Sequence, residues 1–290
     1  MKKKISGVLK QDLNEEAKYS GVYTIWLLFL EKCEVPPTAV VLKKLKERFG
    51  EVDVVSGGPN LNSFALCSHK VTYKGKKEMP LQVIITGCDE VTKPHGDDIA
   101  RTQFWDGPDD EALLDSCGYQ VMVSDFLAAG LPPLERASIL SDLIEIALEL
   151  FPTCAAVYVD ASGRLLTAER MRGNPYEGPL RFIWFGVNAR FFNIQNTEDS
   201  LVDTLGLYAL GLPDMQYHFH GLDPNEVVDH AYNTAIYQFE NDAPIKSGET
   251  ISGFSPDSRW KCQYERSLIQ PSRDVLDVEM GEFASGKRRR

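Results

Sequence analysis

Apolar residues run almost without interruption from position 22 to 30, rich in β-branched and aromatic types, and Val35-Pro36-Pro37 follows as a breaker. Such a run predicts a buried strand. A helix comes next, with Thr38 positioned to cap it, Val41, Leu42, Leu45 and Phe49 on one face, and Gly50 as a left-handed stop. Residues 51–55, 63–73 and 81–86 read as strands joined by turns at Gly57-Gly58-Pro59 and Lys74-Gly75-Lys76. Residues 119–126 predict a further strand. After Pro132-Pro133, Ile139, Leu140, Leu143, Ile144 and Ala147 form one helical stripe that Phe151-Pro152 breaks. The pattern then predicts a strand over 155–159, a short helix around 167–171 and a long strand over 181–192.

The sharpest local signal is Asp223-Pro224-Asn225-Glu226, where Asp223 fits an N-cap, Pro224 the first helical position and Glu226 the reciprocal capping-box position. Val227, Val228, Ala231, Ala235, Ile236 and Phe239 would form the buried face of that helix. Residues 250–254 read as a strand, and periodicity weakens beyond them. Because several connections are short hairpins, the expected class is α+β, with mixed, largely antiparallel sheets flanked by helices. Two βαβ-containing halves are an alternative organisation. Residues 88–115 carry nine Asp and Glu against only Lys93 and Arg101, which marks 88–116 as the candidate seam. Residues 1–270 are expected to form one large domain, and 271–290 a tail with a flexible end.

Charge narrows the partners. Lys and Arg number 31 against 42 Asp and Glu, and a formal charge of -11 would repel a phosphate backbone, so nucleic acid is not expected. The basic clusters at 2–4 and 287–290 read as solvated ends. No apolar h-region follows the first lysines, and the longest apolar stretch is about half of the ~20 residues that a membrane-spanning helix needs. Neither a secretion signal nor membrane insertion is expected. The six cysteines include no CxxC pair. They suit free thiols in a cytoplasmic protein, and their spacing does not support a zinc site built on cysteine pairs.

Catalytic motifs are scarce. The stretch 281–287 matches the first seven positions of a phosphate loop, but Arg288 stands where Ser or Thr would hold magnesium and no helix can follow. The chain carries no GxSxG, GxGxxG or HExxH motif, and no cofactor-binding residue is assigned. His218 and His220 would share one face of a strand, with His230 on the following helix as a third nitrogen, the residue types that hold zinc or iron. The bland alternative is that they line a polar strand face and that His230 pairs with Glu226. Phe104 and Trp105, inside the acidic segment, are candidate binding residues of the aromatic kind that dominates interfaces. Their alternative is a solvated loop pinned by a buried tryptophan.

Several stretches together resemble the bacterial family known as domain of unknown function 4261. They include Gln103-Phe104-Trp105-Asp106, Cys117-Gly118-Tyr119-Gln120-Val121, Phe151-Pro152-Thr153-Cys154, Asn188-Ala189-Arg190-Phe191-Phe192-Asn193 and Leu212-Pro213-Asp214-Met215-Gln216-Tyr217-His218-Phe219-His220-Gly221. Trp260-Lys261-Cys262-Gln263-Tyr264-Glu265 extends the likeness, which is most specific from 103 to 265. The resemblance implies no reaction or cofactor; it places His218, His220 and Asp223-Pro224-Asn225 within the family pattern. Two expectations follow. The first is a non-catalytic binding or interaction protein of the bacterial cytoplasm, whose partner is a protein or a small molecule. The alternative is a metal-assisted hydrolase or transferase using the His218/His220 corner.

Overall fold

The computed structural model describes residues 9–72 and 77–286. The terminal basic clusters, the Lys74-Gly75-Lys76 turn and the lysine of the phosphate-loop-like stretch therefore lie outside the described residues. Packing divides the chain into two compact units, residues 20–186 and residues 187–290 together with 1–19.

The first unit contains β1 (Thr24–Phe29), α1 (Thr38–Phe49), β2 (Val52–Ser56), β3 (Leu61–Thr72), β4 (Glu78–Thr86), β5 (Asp89–Glu90), α2 (Asp98–Arg101) and α3 (Asp110–Ser116). It continues with β6 (Tyr119–Phe126), α4 (Pro133–Leu150), β7 (Ala156–Val159), β8 (Arg164–Thr167), α5 (Ala168–Arg172) and α6 (Arg181–Gly186). The sheet order is β2-β3-β4-β6-β1-β7-β8, with β5 beside β6. Its described pairs are antiparallel. The apolar run that predicts β1 lies between β6 and β7, where Ile25, Leu27, Leu28 and Phe29 are fully buried. On α4, Arg136 is buried and its guanidinium meets Asp125 of β6, Nε to Oδ2 at 2.6 Å and Nη2 to Oδ1 at 3.0 Å. The Tyr23 N–H donates to the same carboxylate at 2.7 Å.

Two expectations are corrected here. The acidic segment 88–116 is not a seam, because apolar anchors set among its charges tie it to the sheet. The His95 ring packs at a tilt against Trp26 and Tyr158, with centroids 5.1 and 5.3 Å away, and its Nε2 lies 2.7 Å from Gln120 Oε1. Phe104 packs on the cluster of Leu28, Leu114, Cys117, Ala156 and Leu165. Second, 181–192 is not one strand. Phe182, Ile183 and Phe185 are all buried, a spacing that suits a helix better than strand alternation, and α6 occupies 181–186. The boundary between the units follows at once, at 186/187.

The second unit contains β9 (Asn188–Asn193), β10 (Ser200–Leu205), β11 (Asp214–Phe219), α7 (Pro224–Glu240), β12 (Thr250–Ser252), β13 (Arg259–Arg266) and β14 (Asp274–Glu279). Its sheet order is β12-β13-β14-β11-β10-β9, antiparallel except for the parallel pair β11 and β14. The fold is thus α+β with two mostly antiparallel sheets. Residues 271–290 are not simply a tail, since β14 fills an interior position and buries Val275, Leu276 and Val278. A six-residue strand interrupted by Asp277 leaves too short a pattern to announce itself.

Buried charges join these strands. Asp203 on β10 receives Arg190 of β9 at 2.8 and 2.6 Å and Arg273 at 2.7 Å, and the Arg273 Nε donates to Asp214 of β11 at 3.1 Å. Burial alone would push the Asp203 carboxyl up, but the two guanidinium groups outweigh it and hold it below the ordinary aspartate value.

Candidate functional site

The groove in the second unit is built from α7 outward. Asp223 Oδ1 accepts the Asn225 N–H at 2.9 Å, so the helix starts where the sequence places its cap. Val227, Ala231, Ala235 and Phe239 are buried on the side packed against β9, β10 and β11. Val228 and Ile236 are only half-buried. His230, Thr234 and Tyr237 fall on another flank, three or four residues apart. That flank faces residues 248–252, and the groove between them has a volume of about 950 Å³, with Pro244 and Ile245 also lining it.

His230 closes one end. Its Nε2 donates to the Ser252 carbonyl at 2.9 Å, which leaves Nδ1 as acceptor for the Tyr217 hydroxyl, also at 2.9 Å. The ring sits among aromatic neighbours, 4.9 Å from Trp260, 5.6 Å from Tyr217 and 5.7 Å from Phe254. Burial pushes the His230 pKa below its ordinary value, against a smaller upward pull from the Ser252 carbonyl. The neutral ring is therefore the form that the fold stabilises.

This shift sets a pH dependence. Above the unfolded histidine value of about 6.5 both states are neutral, whereas below it the unfolded chain takes up a proton that the folded ring resists. The contribution of His230 to stability is thus complete above about pH 6.5 and declines as pH falls toward the lowered folded value. Urea midpoints measured from pH 7.5 to 5 should fall more for the wild type than for His230→Gln. Equal slopes would show that the ring titrates as freely in the fold as in the unfolded chain.

The three candidate metal ligands do not converge. His230 meets Tyr217, the neighbour of His218 on β11, and successive strand residues point to opposite faces. His218 and His220 do come together, on Asp199 and Ser285. The His218 Nε2 lies 3.4 Å from Asp199 Oδ2, His220 Nδ1 lies 3.0 Å from Ser285 Oγ, and that hydroxyl donates to Asp199 Oδ1 at 2.8 Å. Around them residues 283–285 are laced to β11, with the Ser285 N–H on the His218 carbonyl and the His220 N–H on the Phe283 carbonyl, both at 2.9 Å. Gly286 lies so close that a Cβ there would stand 2.7 Å from His218 Nδ1, and its φ of +78° favours glycine. The corner is a clasp that holds residues 283–286. Among the described residues, no group of three or more His, Cys, Asp or Glu is placed to hold a metal ion.

Asp199 and Ser285 escape the sequence reading because they lie 86 residues apart and carry no spacing signal. The acidic-segment candidates separate as well. Phe104 is an anchor of the core, while Trp105 is 44% exposed, so it is not the buried tryptophan of the alternative reading. Asp106 beside it pairs with Arg164 at 3.4 Å and Arg170 at 3.1 Å.

The groove and the clasp share one sheet, and comparison with known families bears on both. Residues 203–279 match the family model described as a domain of unknown function, DUF4261. The DUF4261 match begins within β10 and ends with β14, so it takes in α7, β12 and all three histidines, while Asp199 and Ser285 lie outside it. No curated protein and no solved structure matches the chain.

Proposed function

We propose that the chain is a non-catalytic binding protein of the bacterial cytoplasm, and that the groove between α7 and residues 248–252 is its ligand seat. The groove carries the reading: it is concave, of a size suited to a ligand, and lined by a mixture of apolar surface and a few polar groups. His230 engages protein partners through both ring nitrogens, and His218 and His220 hold the clasp, so the histidines act as structure. Six free thiols support a reducing compartment, no helix among the described residues is long and apolar enough to cross a membrane, and the family resemblance supports a bacterial source.

The test fills the groove. Asn233 is exposed and lines it, so Asn233→Trp should occupy the space without disturbing the buried face of α7. A fragment library screened by ligand-observed NMR should yield hits on the wild type that weaken about tenfold or more on this variant, some 1.4 kcal/mol. Fragments that bind both proteins equally would remove the groove as the seat. Near-stoichiometric zinc, iron or manganese lost in a His218→Ala/His220→Ala variant, measured by plasma mass spectrometry, would overturn the non-catalytic reading in favour of metal-assisted chemistry.

A further inference from the structure

We infer that the occupant of this groove is an extended polypeptide segment of another protein, neutral to basic in charge, which adds a strand to the free edge of β12. The inference rests on the binding reading of the groove and goes on to name the ligand's chemistry. β12 is the terminal strand of its sheet, with β13 on one side only. Its register pairs Thr250 with Lys261, Ile251 with Trp260 and Ser252 with Arg259. The Gly253 N–H bonds the Ser258 carbonyl at 3.1 Å and the Cys262 N–H bonds the Glu249 carbonyl at 2.8 Å. In an antiparallel pair these bonds recur at every second residue. The Glu249 carbonyl and the Gly253 N–H thus turn toward the β13 side, while the Glu249 N–H bonds the Lys246 carbonyl at 3.1 Å; by the same alternation Ile251 faces β13, and Thr250 and Ser252 direct their backbone groups outward, into the groove.

His230 takes the Ser252 carbonyl. The Thr250 N–H and carbonyl and the Ser252 N–H face the space in which a further strand would lie, about 4.8 Å away. A row of alternating backbone donors and acceptors is complementary to another backbone in extended form, the recognition mode in which main-chain bonds supply affinity and alternate side chains supply specificity. The opposite wall offers Tyr237 and Ile245 as apolar seats for those side chains. Glu249 is the charged side chain among those lining the groove, the His230 ring is held neutral, and the whole chain carries -11, which together favour a neutral or basic segment; Lys261 and Arg259, opposite Thr250 and Ser252, stand on β13 and do not line the groove. A second copy of this chain is a poorer occupant, because three residues of β12 offer too little edge for a stable dimer.

Proline at 250 separates the edge from the sheet. Thr250→Pro removes an N–H that points away from β13, and edge strands accept proline at such positions, whereas Ile251→Pro removes one that bonds β13. Phage-displayed random peptides would be selected on the full chain, and enriched sequences synthesised and titrated by fluorescence anisotropy. Their Kd should rise about tenfold or more on Thr250→Pro, with the circular dichroism spectrum and the thermal midpoint little changed. Should that variant fail to fold, peptides N-methylated one amide at a time answer on the wild type: binding should be lost at alternate positions only. Indifference to N-methylation at every position overturns strand pairing, as does equal binding to folded Thr250→Pro or a selection that enriches nothing. A concentration-dependent dimer in sedimentation that Thr250→Pro abolishes would assign the edge to a second copy and overturn the proposal. If peptides fail while Asn233→Trp still abolishes fragment binding, the groove remains a binding site and only its occupant is wrong.

Discussion

Arg273→Met is expected to destabilise the unit formed around β9–β14 by about 3–5 kcal/mol, the cost of leaving buried carboxylates without their cation. Arg273 is completely buried and its guanidinium donates to Asp203, to Asp214 and to the carbonyls of Thr204, Ile269 and Pro271. Methionine fills much of the volume and supplies none of these donors. Asp214 keeps the backbone N–H groups of Gly206, Leu207 and Tyr208, and Asp203 keeps Arg190, so the loss should fall toward the lower end of that range. Urea unfolding followed by the fluorescence of Trp260, which is buried on β13, reads the effect. A change below about 1 kcal/mol would mean that the network resembles a surface ion pair in energy.

The second large effect lies in the unit of residues 20–186. Arg136→Met leaves Asp125 in the interior with the Tyr23 N–H but without the two guanidinium bonds, and should likewise cost about 3–5 kcal/mol. Removing both charges is a different experiment. In Asp125→Asn/Arg136→Met no uncompensated ion remains, the asparagine oxygen can still accept from Tyr23, and much of the loss should return. Hydrogen exchange localises the result: amides of β1 and β6 should open faster in the single variant and recover in the double. If the double variant is as unstable as the single one, the damage comes from packing around Arg136 rather than from a stranded charge.

Much of the local architecture was legible because it obeys local rules. The run that forms β1, the stripe that forms α4 and the Asp223-Pro224 start of α7 are decided by burial periodicity and backbone hydrogen bonding within a few residues. Thr38 shows the limit of such reading. It opens α1 without capping it, and its hydroxyl meets Asn62 at 2.6 Å, a partner that only the β2–β3 turn brings near. The strand expected over 181–192 holds only over β9, and its first half failed for a related reason: apolar residues crowded together satisfy a buried helix as readily as a buried strand, and packing against α4 settles which.

The site divides along the same line. By itself the sequence determined that His218 and His220 would share a face, that Asp223 would cap α7 and that the net charge would be acidic, because each depends on residue type or on spacing within one element. Tertiary structure alone decided that His230 belongs to the other side of β11, that Asp199 and Ser285 join the His218/His220 corner, and that the edge of β12 faces α7 across a groove. Those facts depend on strand order and on contacts between residues tens of positions apart, and no periodicity along a chain encodes which elements become neighbours.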